Sequence, residues 1–205
     1  MRQPVLRSAR VDGERVTLMP ASPAAGHGIY PDLVGCNEIY QWLHWKGPVN
    51  SDDMAARWGD WRSRGAEHDG VDYVFCLQDP ASERPIGGLN LRFRGHLFCG
   101  DLGYWVLPEF QGAGVGSEAV GLATWLSFEH LAGQLMIAEV FVGNERSSRL
   151  LERQGFRRAE EAASAQLDDQ GNATERPVWT YTLGRRTWLR DDRAVEPVAA
   201  EIVVE

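Results

Sequence analysis

Cysteine is scarce in this chain, with Cys36, Cys76 and Cys99 the only three among 205 residues. Three scattered thiols cannot build a disulfide framework, and a reducing, cytoplasmic setting is the expectation. Long apolar runs are also missing, and none approaches the length of a membrane span. The opening Met1-Arg-Gln-Pro-Val lacks the apolar core of a secretory leader. The five histidines (27, 44, 68, 96 and 130) show no paired ligand spacing with each other or with the cysteines, so no metal site is expected. Positive charge is in deficit: the formal net charge is −8, which excludes a general nucleic-acid footprint. An acidic surface suits a cationic acceptor, although most acidic surfaces only keep a protein in solution.

What is present describes an ordinary globular domain. Hydrophobic residues make up 43% and charged residues 24%, and the length suffices for one domain with a proper core. Tryptophan is plentiful, with eight residues, and Trp42, Trp45, Trp58 and Trp61 fall close together. Apolar stripes usually bury themselves, so a packed aromatic core is the plain reading. The sharper one is that one or two of them, Trp42 and Trp45 first, line a substrate pocket.

Periodicity along the chain predicts strands at 14–19, 73–77, 85–93, 101–107, 135–142, 157–167 and 178–183. Residues 1–14 read as irregular up to Asp12-Gly13. Ser51 is the expected N-cap of a helix carrying Met54, Trp58 and Trp61. Gly65 and Gly70 bracket a loop, Gly87 and Gly88 allow a bulge, and 169–172 is a turn. A longer helix shows Val115, Ala119, Leu122 and Leu126 on one face. A short helix from Asn144 to Gln154 ends at Gly155, with Phe156 folding back. The pattern degrades after Leu183. Residues 191–205 carry −4 of the −8, so 1–184 reads as the domain and 185–205 as an acidic tail, disordered or packed at an edge. The order of elements implies an α+β fold with a largely antiparallel sheet of about six to seven strands flanked by helices.

The most informative stretch is Gln111-Gly-Ala-Gly-Val-Gly116, between a strand and a helix. Small residues there let backbone N–H groups close on an anion, and the helix adds its positive N-terminal dipole. Three alternate glycines exceed what a plain turn needs, so a diphosphate site is expected. Gly114 to Ala119 also fits G-x-G-x-x-A, but Pro108-Glu-Phe-Gln separates the glycines from the strand, and too little strand–helix repetition follows for a dinucleotide fold. A P-loop is excluded by the missing Gly-Lys-Ser/Thr ending.

Gln111-x-x-Gly114-x-Gly116 resembles the acetyl-CoA pyrophosphate motif of GNAT N-acetyltransferases. The block from Leu102-Gly-Tyr-Trp-Val-Leu-Pro to the glycines is similar to that of the Rim-type branch, which acetylates protein N-termini and related amines. Asn144-Glu-Arg-Ser-Ser-Arg-Leu-Leu-Glu-Arg-Gln-Gly-Phe156 resembles that branch's N-x-x-S…GF block. Val11 to Leu18 and Ile86 to Leu89 resemble its first and third strands. The resemblance covers about residues 11–183. It implies acetyl-CoA bound by Val106, Leu107, Gln111, Gly112, Ala113, Gly114, Val115, Gly116, Ser117 and Asn144. It also implies direct attack of an amine, from a protein N-terminus or a small molecule, on the thioester. A backbone N–H between Trp105 and Leu107 would polarise the carbonyl.

Three devices of the family are tested by position. A tyrosine acid on the final helix would fall at Leu151, which rules it out. The Rim-type serine matches Ser147, with Ser148 the choice if the register slips by one; Ser147 can equally support a cap made by Asn144. A Rim-type glutamate base would fall at Gln166 and cannot be carried over. Asp101 is the remaining candidate base, or a solvated strand-end carboxylate, with Glu160 and Glu161 weaker alternatives. A monomer or homodimer is expected, without nucleic-acid or membrane partners. A non-catalytic acyl-CoA-binding module is the alternative reading.

Overall fold

The computed structural model describes residues 4–64, 70–94, 98–167, 173–192 and 194–205. The 65–70 loop and the 169–172 turn expected from the sequence fall wholly or largely outside them. The elements run β1 (Leu6–Asp12), β2 (Thr17–Pro20), α1 (Pro23–Leu33), α2 (Asn37–Tyr40), α3 (Ser51–Arg57), β3 (Arg62–Arg64), β4 (Val71–Gln78), β5 (Pro85–Arg94) and β6 (Cys99–Val106). They continue with α4 (Val115–His130), β7 (Leu135–Phe141), α5 (Glu145–Arg153), β8 (Arg157–Leu167), β9 (Ala173–Gly184), α6 (Arg185–Trp188) and β10 (Ala199–Val204).

One ten-stranded sheet holds them together, in the order β10-β1-β2-β4-β5-β6-β7-β9-β8, with β3 on β4. Among the described strands every pairing is antiparallel except β6 with β7. The sheet exceeds the expected six to seven strands because β1, β3 and β10 join it. β1 escapes the alternation rule because a register shift between Leu6 and Ser8 breaks its period. Residues 185–205 belong to the same body: Trp188 is buried in the main core, and β10 pairs with β1 from Asp12–Ala199 to Leu6–Val204. The side chain of Glu205 bonds both Arg7 and Arg62.

Both faces of the sheet are covered. α4 buries Val115, Ala119, Leu122 and Leu126 against Tyr73, Phe75, Leu89, Leu91, Leu102 and Val106. A smaller cluster on the other face joins Ile29, Leu33, Ile39, Tyr40, Met54 and Trp58 to Cys76 and Leu107. The helix expected to begin at Ser51 is capped one residue earlier, since Asn50 accepts from the Asp53 N–H at 2.8 Å. Asn and Ser cap about equally well, so the pair Asn50-Ser51 leaves a one-residue ambiguity that only geometry resolves. The bulge near Gly87 is present as a register shift between Leu77 and Gln78 on the facing strand.

Candidate active site

The site begins with a defect in the sheet. β6 and β7 run in parallel, but their register covers only Cys99–Leu135, Gly100–Met136 and Asp101–Ile137. Beyond this, β6 stays with β5 up to the pair Gly87–Val106, and β7 stays with β9 up to Phe141–Val178. The two strands therefore part and open a wedge. Leu107 donates its N–H to the Ile86 carbonyl at 2.8 Å. Hydrogen-bonded and non-bonded pairs alternate along an antiparallel ladder, so Val106 turns its N–H and C=O to the wedge side. Its carbonyl accepts from Gln111 Nε2 at 2.8 Å, and the Arg146 guanidinium bonds Gln111 Oε1 in turn. Of the three amides in the expected Trp105–Leu107 window, Leu107 is occupied and Val106 faces the opening.

The glycine loop lies at the wide end of the wedge. Gly112 and Gly114 have φ of +85° and +89°, in the left-handed region that other residues enter at a cost. A Cβ on Gly112 would meet nothing within 4 Å, so its surroundings are open. Gly114 is the N-cap of α4, and the first bond of the helix runs from the Glu118 N–H to its carbonyl. The N–H groups of Val115, Gly116 and Ser117 therefore lie in the first turn, where helices leave donors unsatisfied. Val115 is buried and anchors the turn. A Cβ on Gly116 would stand 3.2 Å from Leu150, 3.7 Å from Val106 and 3.8 Å from the Tyr104 ring.

Charge around this turn is arranged for an anion. Glu118, 9% exposed, points back to the β1–β2 turn and accepts from the N–H groups of Glu14 (3.0 Å) and Arg15 (2.6 Å). Its carboxylate also lies 3.8 Å from Arg15 Nη1, which bonds Glu14 at 3.3 Å. The Arg15 side chain lies beside Gly114, with its Cδ 3.3 Å from a Cβ built there, and its guanidinium is half exposed. Ser117 accepts from Gln154 Nε2 at 2.8 Å, which ties α4 to the end of α5. Ala113 is exposed on the loop. Open glycines, a helix start and a half-exposed guanidinium fit a diphosphate.

α5 closes the third side. Asn144 caps it by accepting from the Ser147 N–H at 3.2 Å. That cap uses the Ser147 backbone only, and the hydroxyl lies 2.8 Å from the Tyr104 hydroxyl. Ser148 is buried, so the register favours Ser147 as the serine that reaches Tyr104. Burial pushes the Tyr104 phenol up to about 12, against the smaller lowering effect of its bond to Ser147. Gly155, at φ +86°, ends the helix in a Schellman turn: its N–H bonds the Glu152 carbonyl and the Phe156 N–H bonds that of Leu151. Leu151 itself is fully buried.

Alternation along β6 sends Leu102, Tyr104 and Val106 toward α4 and α5, and Asp101 and Trp105 to the opposite face. Asp101 thus does not meet Ser147; it is held by Arg94 at 3.0–3.1 Å, where the parallel pairing ends. Trp105 stacks on Trp58 at 6.3 Å. Trp58, 4% exposed, is a core residue. Trp42 and Trp45 are half-buried. Trp42 comes within 3.6 Å of a Cβ on Gly143, at the start of the turn into α5, and Trp45 packs on Tyr40 and beneath Arg57. Glu160 and Glu161 are exposed on β8, separated from the wedge by β9 and β7.

Gln166 is 7% exposed and acts as a clasp. Its Nε2 lies 2.8 Å from the Leu43 carbonyl, with those of Gln41 and Tyr40 at 3.3 and 3.5 Å. Arg176 donates to Gln166 Oε1 at 2.6 Å and to the Gln41 carbonyl at 2.9 Å, and its guanidinium lies over Phe141 at 4.5 Å. The segment after α2 is thereby fastened across β8 and β9. Among the described residues no His, Cys, Asp and Glu cluster could hold a metal, and no helix is long and apolar enough to cross a membrane.

A wedge between parallel strands, flanked by a glycine turn at a helix start, is the arrangement to compare with known proteins. The family model described as "Acetyltransferase (GNAT) domain" matches residues 15–157. The chain belongs to the GNAT acetyltransferase family. It is 27% identical over 133 residues, 63% of this chain and 67% of the relative, to "Putative ribosomal N-acetyltransferase YdaF" of Bacillus subtilis (strain 168). A GCN5-related N-acetyltransferase from Brucella melitensis shares the fold at a TM-score of 0.74 and 18% identity, over 92% of this chain and 84% of that one. The Microcin C7 self immunity acetyltransferase MccE, solved with acetyl-CoA and AMP, matches at a TM-score of 0.61 and 13% identity, over 84% and 93%. The Rim-type resemblance of the sequence agrees with the Bacillus relative.

Around this candidate site three residues escaped the sequence reading. Tyr104 was reachable, because its period-two spacing from Leu102 and Val106 puts it on the α4 face. Arg15 and Arg146 were not, since both arrive through tertiary contacts with Gly114 and Gln111.

Proposed function

We propose that the chain transfers an acetyl group from acetyl-CoA to an amine by direct attack on the thioester. The observation that carries this is the wedge itself, with the Val106 N–H turned into it between the glycine turn and the Ser147 hydroxyl. Gly112 to Ser117 and Arg15 take the diphosphate. Gln111 acts through its side chain, holding the Val106 carbonyl. The pantetheine arm runs beside Val106, Leu107 and Asn144. The Val106 N–H stabilises charge that develops on the thioester oxygen, a preorganised donor in a protected cleft. The Ser147 hydroxyl hydrogen-bonds the departing sulfur. A thiol of pKa about 8.5 leaves as thiolate with no stronger acid.

The acceptor enters from the opposite face, past Trp105 and the segment holding Trp42 and Trp45. An α-amine with a pKa of about 7.7–8.0 is about 10–17% neutral near pH 7, so Asp101 need act only weakly, directly or through water. Protein N-termini and small amines both fit this chemistry. Thiol release from acetyl-CoA across a panel of N-terminal peptides and small amines tests the proposal. Turnover with at least one acceptor class supports it. Tight CoA binding with no turnover on any acceptor, including lysate proteins followed by mass spectrometry, would establish the non-catalytic alternative.

A further inference from the structure

We infer that Tyr104 is a positioning residue for the leaving-group step: its phenol donates to Ser147 Oγ and so directs the Ser147 proton into the wedge. The inference rests on Ser147 serving the departing sulfur, as proposed above, and adds the residue that aims it. Four observations carry it. The two hydroxyls are 2.8 Å apart, and either can be the donor by geometry alone. The Ser147 backbone is fixed, because its N–H bonds Asn144 at the first turn of α5. The Tyr104 ring lies beneath the first turn of α4, 3.8 Å from a Cβ built on Gly116. Its side chain faces α4 and α5, the side on which the glycine turn lies, while Asp101 and Trp105 face away.

A serine hydroxyl has one proton and two acceptor positions. If Tyr104 fills one acceptor position, the Ser147 proton is left for a group in the wedge. The bond also polarises Ser147, since a hydroxyl that accepts becomes a better donor. No proton passes from Tyr104 in this step. The C–S bond breaks, the electron pair stays on sulfur, and the sulfur leaves as thiolate while accepting from Ser147. A phenol held up to about 12 by burial stays protonated beside a thiolate whose acid has a pKa of about 8.5, so it remains a donor throughout. Tyr104 also spans the two halves of the donor site, with its ring beneath Gly116 and its hydroxyl on α5.

A double-mutant cycle on the full chain tests this. Tyr104→Phe keeps the ring and removes only the hydroxyl. The expected result is a fall in kcat of about threefold to tenfold, the range of one net hydrogen bond, with the KM for acetyl-CoA within about twofold. In the Ser147→Ala background the same change should have no further effect on kcat, because Tyr104 acts through Ser147. A purely structural tyrosine would instead lower the melting temperature and reduce kcat by the same factor in both backgrounds, which overturns the inference. So does full kcat in Tyr104→Phe while Ser147→Ala is impaired; that leaves the Ser147 reading standing. Full kcat in Ser147→Ala overturns the Ser147 reading itself and the inference with it. Should Tyr104→Phe fold poorly, Tyr104→Met takes its place in the cycle, since it also lacks the hydroxyl and its flexible side chain refills the space; an equal fall in kcat in both Ser147 backgrounds, or full kcat in Tyr104→Met alone, overturns the inference.

Discussion

Placing a Rim-type glutamate at position 166 is the obvious route to a stronger base; the structure predicts that Gln166→Glu damages the protein and adds no activity. Gln166 Nε2 donates to the Leu43 carbonyl at 2.8 Å and faces two more carbonyls at 3.3 and 3.5 Å, in a setting 7% exposed. A carboxylate puts an acceptor where the donor was. Losing one buried hydrogen bond and leaving its acceptor unsatisfied costs about 1–3 kcal/mol. Burying the new charge adds to this, and Arg176, already 2.6 Å from Oε1, offsets part of it. A net loss of about 2–4 kcal/mol follows, or a melting temperature lower by about 4–16 °C for a chain of this length. Hydrogen exchange should rise first in the segment after α2, because that is what Gln166 fastens. Gln166→Met, neutral and of similar length, should lose less than the glutamate variant. Unchanged melting with a rise in kcat/KM in Gln166→Glu would refute the reasoning and mark position 166 as a site for a base.

Gly114→Val should lose at least about tenfold in CoA affinity by calorimetry, since a β-branched residue at φ +89° distorts the turn and presses on Arg15; unaltered affinity in the folded variant would count against the diphosphate assignment. Asn144→Ala should cost about 1 kcal/mol in thermal unfolding through loss of the α5 cap. Trp58→Ala should cost about 3–5 kcal/mol as a core truncation, whereas Trp42→Ala should chiefly raise the acceptor KM, and the reverse pattern would exchange their roles. The Glu205 carboxyl is held below its ordinary value by its bonds to Arg7 and Arg62. Its contribution is therefore in place above about pH 4.5 and fades as pH falls through the lowered value, so the protection factors of β10 amides should fall there and Glu205→Gln should flatten that dependence.

The parts of this molecule legible in the sequence are those whose cause is local. The glycine turn, the Asn144 cap and the Gly155 stop are each written within a few residues, and seven strands announce themselves by alternation. β1 does not, because the shift between Leu6 and Ser8 changes which face its apolar residues occupy. β10 does not either: nearly all its side chains are exposed, and it is a strand because β1 offers an edge to it. Asp101 and Ser147 both stood out in the sequence as candidates, but their lying on opposite faces depends on the phase of β6. The pairing of Tyr104 with Ser147 joins residues 43 positions apart and needs the packed α5.

The parting of β6 and β7 gives the sheet a third edge, in its middle. Backbone groups on the facing sides of residues 102–106 and 138–141 have no neighbouring strand to pair with across the wedge. Ordinary sheet edges invite another strand, and proteins guard them with charge or bulges. This one is guarded by depth, since a strand cannot enter between two others already joined at Cys99 to Asp101. What can enter is a narrow chain carrying its own donors and acceptors. The amide of Val106 should therefore exchange its hydrogen quickly in the free protein, although it lies in an interior strand, and slow sharply once the wedge is filled.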